Sequence, residues 1–363
     1  MISINCGFNF DPELPTILDK ANREIGEKTG IRITEVYGSV PGIGLGSVRQ
    51  KSRLRATSLN QVMTILTDLR DRDIEFNYTV NRSVIRTLRD LGFSLGSSPE
   101  LAKLDYLVKS ELITRLTICH PLLMEVFSER YKLPIEISTV TQVMSPSQMR
   151  KLKERAPTID KICMHLYSNR NFPLLREFVD VGKKLGIRIE LLLNEFCSFQ
   201  CPDRKYCYDL QSIQTYRETE FDTYPHGRCI KDRNDPVEWL KARFILPQWF
   251  EDYRMAARIK NYKLTGRTHP TKYIERVARI YLSGEYDGNL LDLWAHLENI
   301  EREGKPIGPK FFIPSKGLKF DSFIKNSPFC IGDDMKGFYC DLACGSCTYC
   351  ERYLEKIGYQ NLR

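Results

Sequence analysis

A chain of 363 residues, 42% of them hydrophobic, can bury a sizeable core and fold as a single α/β barrel, which sets aside disordered and fibrous classes. Its 54 Lys and Arg against 46 Asp and Glu leave a formal charge of +8, spread along helical faces, which suits an anionic partner without requiring one. No window approaches the ~18 apolar residues of a membrane helix, and the opening MISINCGF is no secretory leader, so a soluble cytoplasmic protein with no membrane insertion is expected.

Short β-branched or apolar runs alternate with amphipathic stretches, the pattern of parallel βα units. Strands are expected at Ile2–Phe8, Arg32–Gly38, Ile74–Asn81, Arg115–His120, Ile135–Thr141, Lys161–Tyr167, Ile189–Phe196 and Ile259–Gly266. Helices are expected at Pro12–Gly30, Ser58–Arg72, Arg82–Leu91, Pro121–Tyr131, Ser147–Ala156, Pro173–Leu185 and Thr271–Ser283, several opening on the Pro, Ser or Asn of a helix start. Another lies within Tyr286–Glu303, and from Gly304 the Gly, Pro and Lys content marks a linker or extended arm.

This order fits a TIM-type (β/α)8 barrel over residues 1–288, with residues 289–363 as a cysteine-rich C-terminal extension. Chemistry in such a barrel sits where strands end, which selects Tyr37, Asn77, Asn81, His120, Thr141, His165, Asn194, Glu195, Cys197 and Arg267. Glu195 and Arg267 stand out because each closes an apolar strand, where an unpaired charge is costly. The glycine-rich segment from Gly38 to Arg49 lacks the spacing of a dinucleotide or P-loop fingerprint and reads as a mobile loop beside the site.

Nine of the twelve cysteines fall into two groups; Cys6, Cys119 and Cys163 sit in apolar runs and read as buried thiols. The first group, Cys197, Cys201, Cys207 and Cys229, follows the seventh strand in a polar loop with no hydrophobic period. Four thiolates satisfy either a tetrahedral zinc or a 4Fe-4S cube, and the irregular gaps favour the cluster. The second group, Cys330, Cys340, Cys344, Cys347 and Cys350, has a Cys-x3-Cys-x2-Cys core spaced as in radical S-adenosylmethionine enzymes. Its place at the chain's end argues instead for a second cluster or zinc knuckle on Cys340, Cys344, Cys347 and Cys350, or for a tail that folds over the barrel mouth.

Glu195 with its cysteine loop, followed by YKLTGRTHPTKYIERVARIY, resembles the peptidase U-32 (collagenase-like) family. That family's strand ends in Lys-x-x-Gly-Arg before a Tyr-containing helix, here Lys263, Gly266, Arg267 and Tyr273. The resemblance implies two competing activities. One is the peptidase label. The other is oxygen-independent hydroxylation of a biosynthetic intermediate or an RNA base, on a 4Fe-4S cluster held by Cys197, Cys201, Cys207 and Cys229, with prephenate as a co-substrate of the RNA-modifying members. The CPDRKYC stretch departs from the family's usual loop.

Proteolysis lacks an HExxH or GxSxG motif here, and the histidines number five. The iron–sulfur reading gives Glu195 or His165 proton transfer, and Arg267 with Lys263 the binding of a substrate carboxylate or phosphate. A third reading is a non-catalytic, metal-stabilised subunit. The partners that follow are a small-molecule or RNA substrate, a related U-32 subunit or an electron donor.

Overall fold

The computed structural model describes residues 1–40, 57–85, 99–217, 226–294, 301–302, 305–306, 309–325 and 347–362. Eight parallel strands close a barrel in chain order: β1 Ile2–Gly7, β2 Ile31–Gly38, β3 Glu75–Val80, β4 Arg115–Ile118, β5 Ile135–Ile137, β6 Ile159–Cys163, β7 Arg188–Leu192 and β8 Asn261–Leu264, which pairs back onto β1. All eight expected strands are present. Several stop short of the polar ends assigned to them, because those residues already turn into βα loops: Thr139–Thr141 is a 3-10 turn, and Asn194 and Glu195 lie beyond β7.

The helices that cover the barrel are α1 Leu14–Ala21, α2 Leu59–Arg70, α3 Pro99–Lys109, α4 Pro121–Tyr131, α5 Pro146–Arg155, α6 Phe172–Leu185 and α11 Thr271–Ser283. Local chemistry fixes their starts. Ser58 and Gln61 form a reciprocal capping box on α2, and Asn171 caps α6 ahead of its proline. The helix expected at Arg82–Leu91 is not found over residues 82–85, the rest lying outside the described residues; α3 occupies that connection instead. The glycine-rich segment likewise lies outside them from residue 41 onward.

Two further expectations need correction. The cysteine segment is helical, with α7 Arg204–Arg217, α8 His226–Arg233 and α9 Pro236–Lys241 ahead of α10 Phe250–Ala257. The stretch after Gly304 is more than a linker, since Phe311, Ile313, Leu318, Phe320 and Phe323 are buried in one core with the barrel. Phe311–Phe312 pairs antiparallel with Gln360–Asn361, and α12 Tyr349–Ile357 adds Tyr353 and Leu354 to the same core. Among the described residues no helix is long and apolar enough to cross a membrane.

Candidate functional site

Barrel axes are usually filled by branched apolar side chains. Here the inward positions carry charge. Glu35 of β2, Arg115 of β4, Glu136 of β5, Lys161 of β6, Glu190 of β7 and Lys263 of β8 are all buried around Asn77 of β3. Lys161 Nζ lies 2.6 Å from Glu35, 3.0 Å from Glu136 and 3.2 Å from Glu190. Lys263 bonds Glu136 and stands 3.6 Å from Glu190, while Arg115 bridges Glu35 at 3.0 Å and Asp160 at the barrel's N-terminal end. Asn77 donates to both Glu35 and Glu136 and accepts from Thr117 at 2.7 Å.

Three carboxyl groups and three cations thus lie buried together, only Lys263 among them reaching the cavity above. Burial works against each charge, but Lys161 and then Lys263 hold Glu136 well below the usual carboxylate range. Burial opposes the Lys263 ammonium as well, yet Glu136 and Glu190 keep it above its ordinary value.

Above this layer, at the C-terminal ends of the strands, opens a cavity of about 200 Å3. Its wall brings together Cys197, Cys201, Cys207 and Cys229 with Glu195, Lys263 and Arg267, seven of the side chains singled out by the sequence. The chain reaches this wall through a narrow neck. It leaves the barrel at Leu193 and returns at Ile245, whose N–H donates to the Leu193 carbonyl at 2.9 Å. Buried Asn169 donates at 2.7 Å to the carbonyls of both Leu192 and Arg243, clamping the two sides. Phe196, Trp239 and Trp294 form an aromatic wall beside the neck, at ring separations of 4.4 and 4.8 Å.

The Cys201 thiol donates to the Cys197 sulfur, and although burial opposes charge there, Arg204 beside it helps hold Cys197 down to about 6, a thiolate at neutral pH. Burial pushes Cys207 up to about 12 and raises Cys229 as well. The guanidinium of Arg204 is buried, lying 3.6 Å from Glu195, and that of Arg233 stacks 5.5 Å from the Phe196 ring; the Nε of each meets no acceptor among the described residues. Buried cations with unused N–H groups around four sulfurs are what a net-anionic thiolate-bound centre needs. The donor set therefore fits a four-thiolate cluster; among the described residues no three of these sulfurs lie within 4.8 Å of one another, as a single ion would need.

The expected residues other than the cysteines differ in setting, Glu195, Lys263, Arg267 and Asn194 lining the cavity and His165 and His120 not. Glu195 accepts from Tyr208 at 3.0 Å and keeps a quarter of its side chain exposed to the cavity. Arg267 donates to Ser39 at 2.9 Å over the mouth. His165 is buried and does not line the cavity; burial, then Arg204, lower it to about 3, so its imidazole is neutral. Lys263 faces the cavity with its ammonium committed to the carboxylates below. Asn194 ties β7 to the β8 loop, accepting from the Thr265 N–H at 2.8 Å, and His120 caps α4. Cys330, Cys340 and Cys344 lie outside the described residues; Cys347 and Cys350 are half-buried, Cys350 against the core.

Lys-x-x-Gly-Arg has a local cause. Gly266 holds φ +123°, and a Cβ there would meet Tyr273 at 3.2 Å and His269 at 3.3 Å. Gly7 allows the Arg267 backbone to approach, its would-be Cβ standing 2.7 Å from the Arg267 nitrogen. Gly266→Ala is expected to destabilise by about 1 to 3 kcal/mol, read as a lowered denaturation midpoint.

Glu35, Glu136, Lys161 and Glu190 are absent from the sequence-based selection. For the three glutamates the signal was available, each being a charge inside an apolar strand rather than at its C-terminal end; Lys161 opens its expected strand, which in fact begins at Ile159.

No family model matches the chain. A protein of Methanocaldococcus jannaschii described as an uncharacterized protease is 26% identical over 190 residues, 52% of this chain and 50% of that protein. The chain thus spans about half the length of this curated relative. Among solved structures, the U32 peptidase Mk0906 aligns over 73% of this chain and 92% of that one, at 16% identity and a TM-score of 0.47.

Proposed function

We propose that this chain, a relative of the U32 family, is an oxidoreductase that holds a 4Fe-4S cluster on Cys197, Cys201, Cys207 and Cys229 and hydroxylates, without oxygen, a biosynthetic intermediate or an RNA base. The observation that carries the reading is the convergence of those four sulfurs on one strand-end cavity flanked by buried arginines. When bound, the cluster would supply electron transfer at the cavity wall.

The chain's own residues supply the rest. A cavity of this size takes one ring-sized group, with Phe196 and Trp294 giving it apolar wall. Arg267, fixed by Ser39, presents its guanidinium to a carboxylate or phosphate at the mouth. Glu195, mostly shielded and oriented by Tyr208, would take or give a proton. Prephenate is the co-substrate that the family resemblance implies, and a second cluster or zinc on the tail cysteines belongs to the same reading.

The relative's name favours a peptidase as the second reading. Hydrolysis through Cys119 or Cys163 is opposed by burial, which pushes both thiols up and leaves them unactivated. Cys197 is a thiolate, but among the described residues no histidine lines its cavity.

The test is anaerobic purification with absorbance, iron, zinc and acid-labile sulfide measured together. About four irons and four sulfides per chain are expected for the first centre. Zinc without sulfide would sink the hydroxylase reading.

A further inference from the structure

Of the three carboxylates on the barrel axis, Glu190 has the least compensation. Glu35 is bonded by Asn77, Arg115 and Lys161, and Glu136 by Asn77 and Lys263 with Lys161 at 3.0 Å. Glu190 Oε1 stands 3.2 Å from Lys161, an ammonium already shared by the other two. Its Oε2 is 3.6 Å from Lys263 and receives no hydrogen bond, in a residue that is 1% exposed. A buried carboxylate left in that condition gains by taking a proton.

Glu190 also lies directly beneath the cavity. Lys263 and Cys163 both form part of the cavity wall, and Cys163 Sγ lies within 4.8 Å of a carboxylate oxygen of Glu190 and of Glu136. Lys161 and Arg115, deeper in the barrel, are not in the wall.

We propose that Glu190 is the charge-compensating residue of this cavity: one electron, given up by a one-electron donor such as a reduced iron–sulfur protein or flavin and accepted by the centre above Glu190, is balanced by a proton taken from solvent onto the Glu190 carboxylate, with Lys263 as the electrostatic link. One negative charge arrives and one is neutralised, so the interior charge is unchanged. Glu190 touches neither substrate nor centre; it acts through Lys263. The groups that face it are Glu136 on β5, Lys161 and Cys163 on β6, Lys263 on β8 and, beyond them, Glu35 on β2. The two other carboxylates keep their own cations, so the proton falls to Glu190. Burial first, then Glu136, lifts Glu190 to about 7, where exchange occurs near neutral pH.

The inference rests on the cavity holding a redox centre, and its test separates the two. Infrared difference spectra of the full-length, anaerobically purified protein of known iron and sulfide content are recorded across pH, before and after dithionite. The expected result is a protonated-carboxyl C=O band that titrates near neutrality, gains intensity on reduction at fixed pH, and is missing from Glu190→Gln. The proposal is overturned if no such band titrates between about pH 5 and about pH 9, if the band survives in Glu190→Gln, or if it ignores reduction while the cluster bleaches. Should the protein prove free of iron, a titrating band lost in Glu190→Gln upholds the proton site and sinks the redox reading alone. If Glu190→Gln does not fold, Glu190→Asp is expected to move the band's midpoint, and an unmoved midpoint overturns the assignment.

Discussion

Lys161→Met is expected to cost about 3 to 5 kcal/mol of folding stability, because it leaves three buried carboxylates facing two cations. Lys161 is the hub: its ammonium lies within 3.2 Å of Glu35, Glu136 and Glu190, and Met fills its volume without replacing its charge. The dependence on pH separates this from lost packing. With the ammonium gone, the folded-state pKa values of Glu35 and Glu136, now depressed, rise toward or above their unfolded values, and that of Glu190, already raised, rises further. A group so raised favours the folded state at low pH and costs stability as pH rises through its folded pKa. The variant's deficit is therefore expected to shrink on acidification from neutrality, measured by urea denaturation at each pH. A deficit that stays constant with pH would mean that the hub acts by shape alone.

Cys197→Ala and Cys229→Ala are each expected to abolish most of the bound iron and sulfide, whereas Cys163→Ala retains them. The contrast is informative because all three line the same cavity. Cys197 is the thiolate of the set, and Cys229 joins the site from a separate helix, so each removes a different corner of one centre. Cys163 is held protonated by burial, and the carboxylates within 4.8 Å of its sulfur, Glu136 and Glu190, are already paired with Lys161 and Lys263 rather than with the four cysteines. Equal loss from all three variants would show that the site is being unfolded rather than emptied.

How much was legible follows from where each signal lay. The eight strands were readable because buried parallel strands write continuous apolar runs into the sequence. Strand ends were read too long at Ile135–Thr141 and Ile189–Phe196, since β-branched and polar residues at a barrel mouth look like strand until the turn is seen. The cysteine segment hid its helices: α7 and α8 are predominantly polar, α7 shows almost no amphipathic period, and α8 is only eight residues long. The cysteine cavity was legible from spacing and family resemblance together. The axial charges were not, because their partners lie on other strands, which only closure of the barrel brings together. Glu35, Glu136 and Glu190 sit mid-strand, and the same cost argument that raised Glu195 applies to them with more force.

The neck between Leu193 and Ile245 has a consequence for biogenesis. Because the segment leaves and re-enters the barrel at one hydrogen-bonded point, clamped by Asn169, strands β7 and β8 can find each other with the intervening fifty or so residues still unfolded, and a longer loop adds little closure entropy. Maturation would then be a two-stage assembly, in which a finished cylinder waits with its cysteines unfurled for the inorganic cargo to be delivered. A protease offered the immature form would cut within that segment first and spare the cylinder.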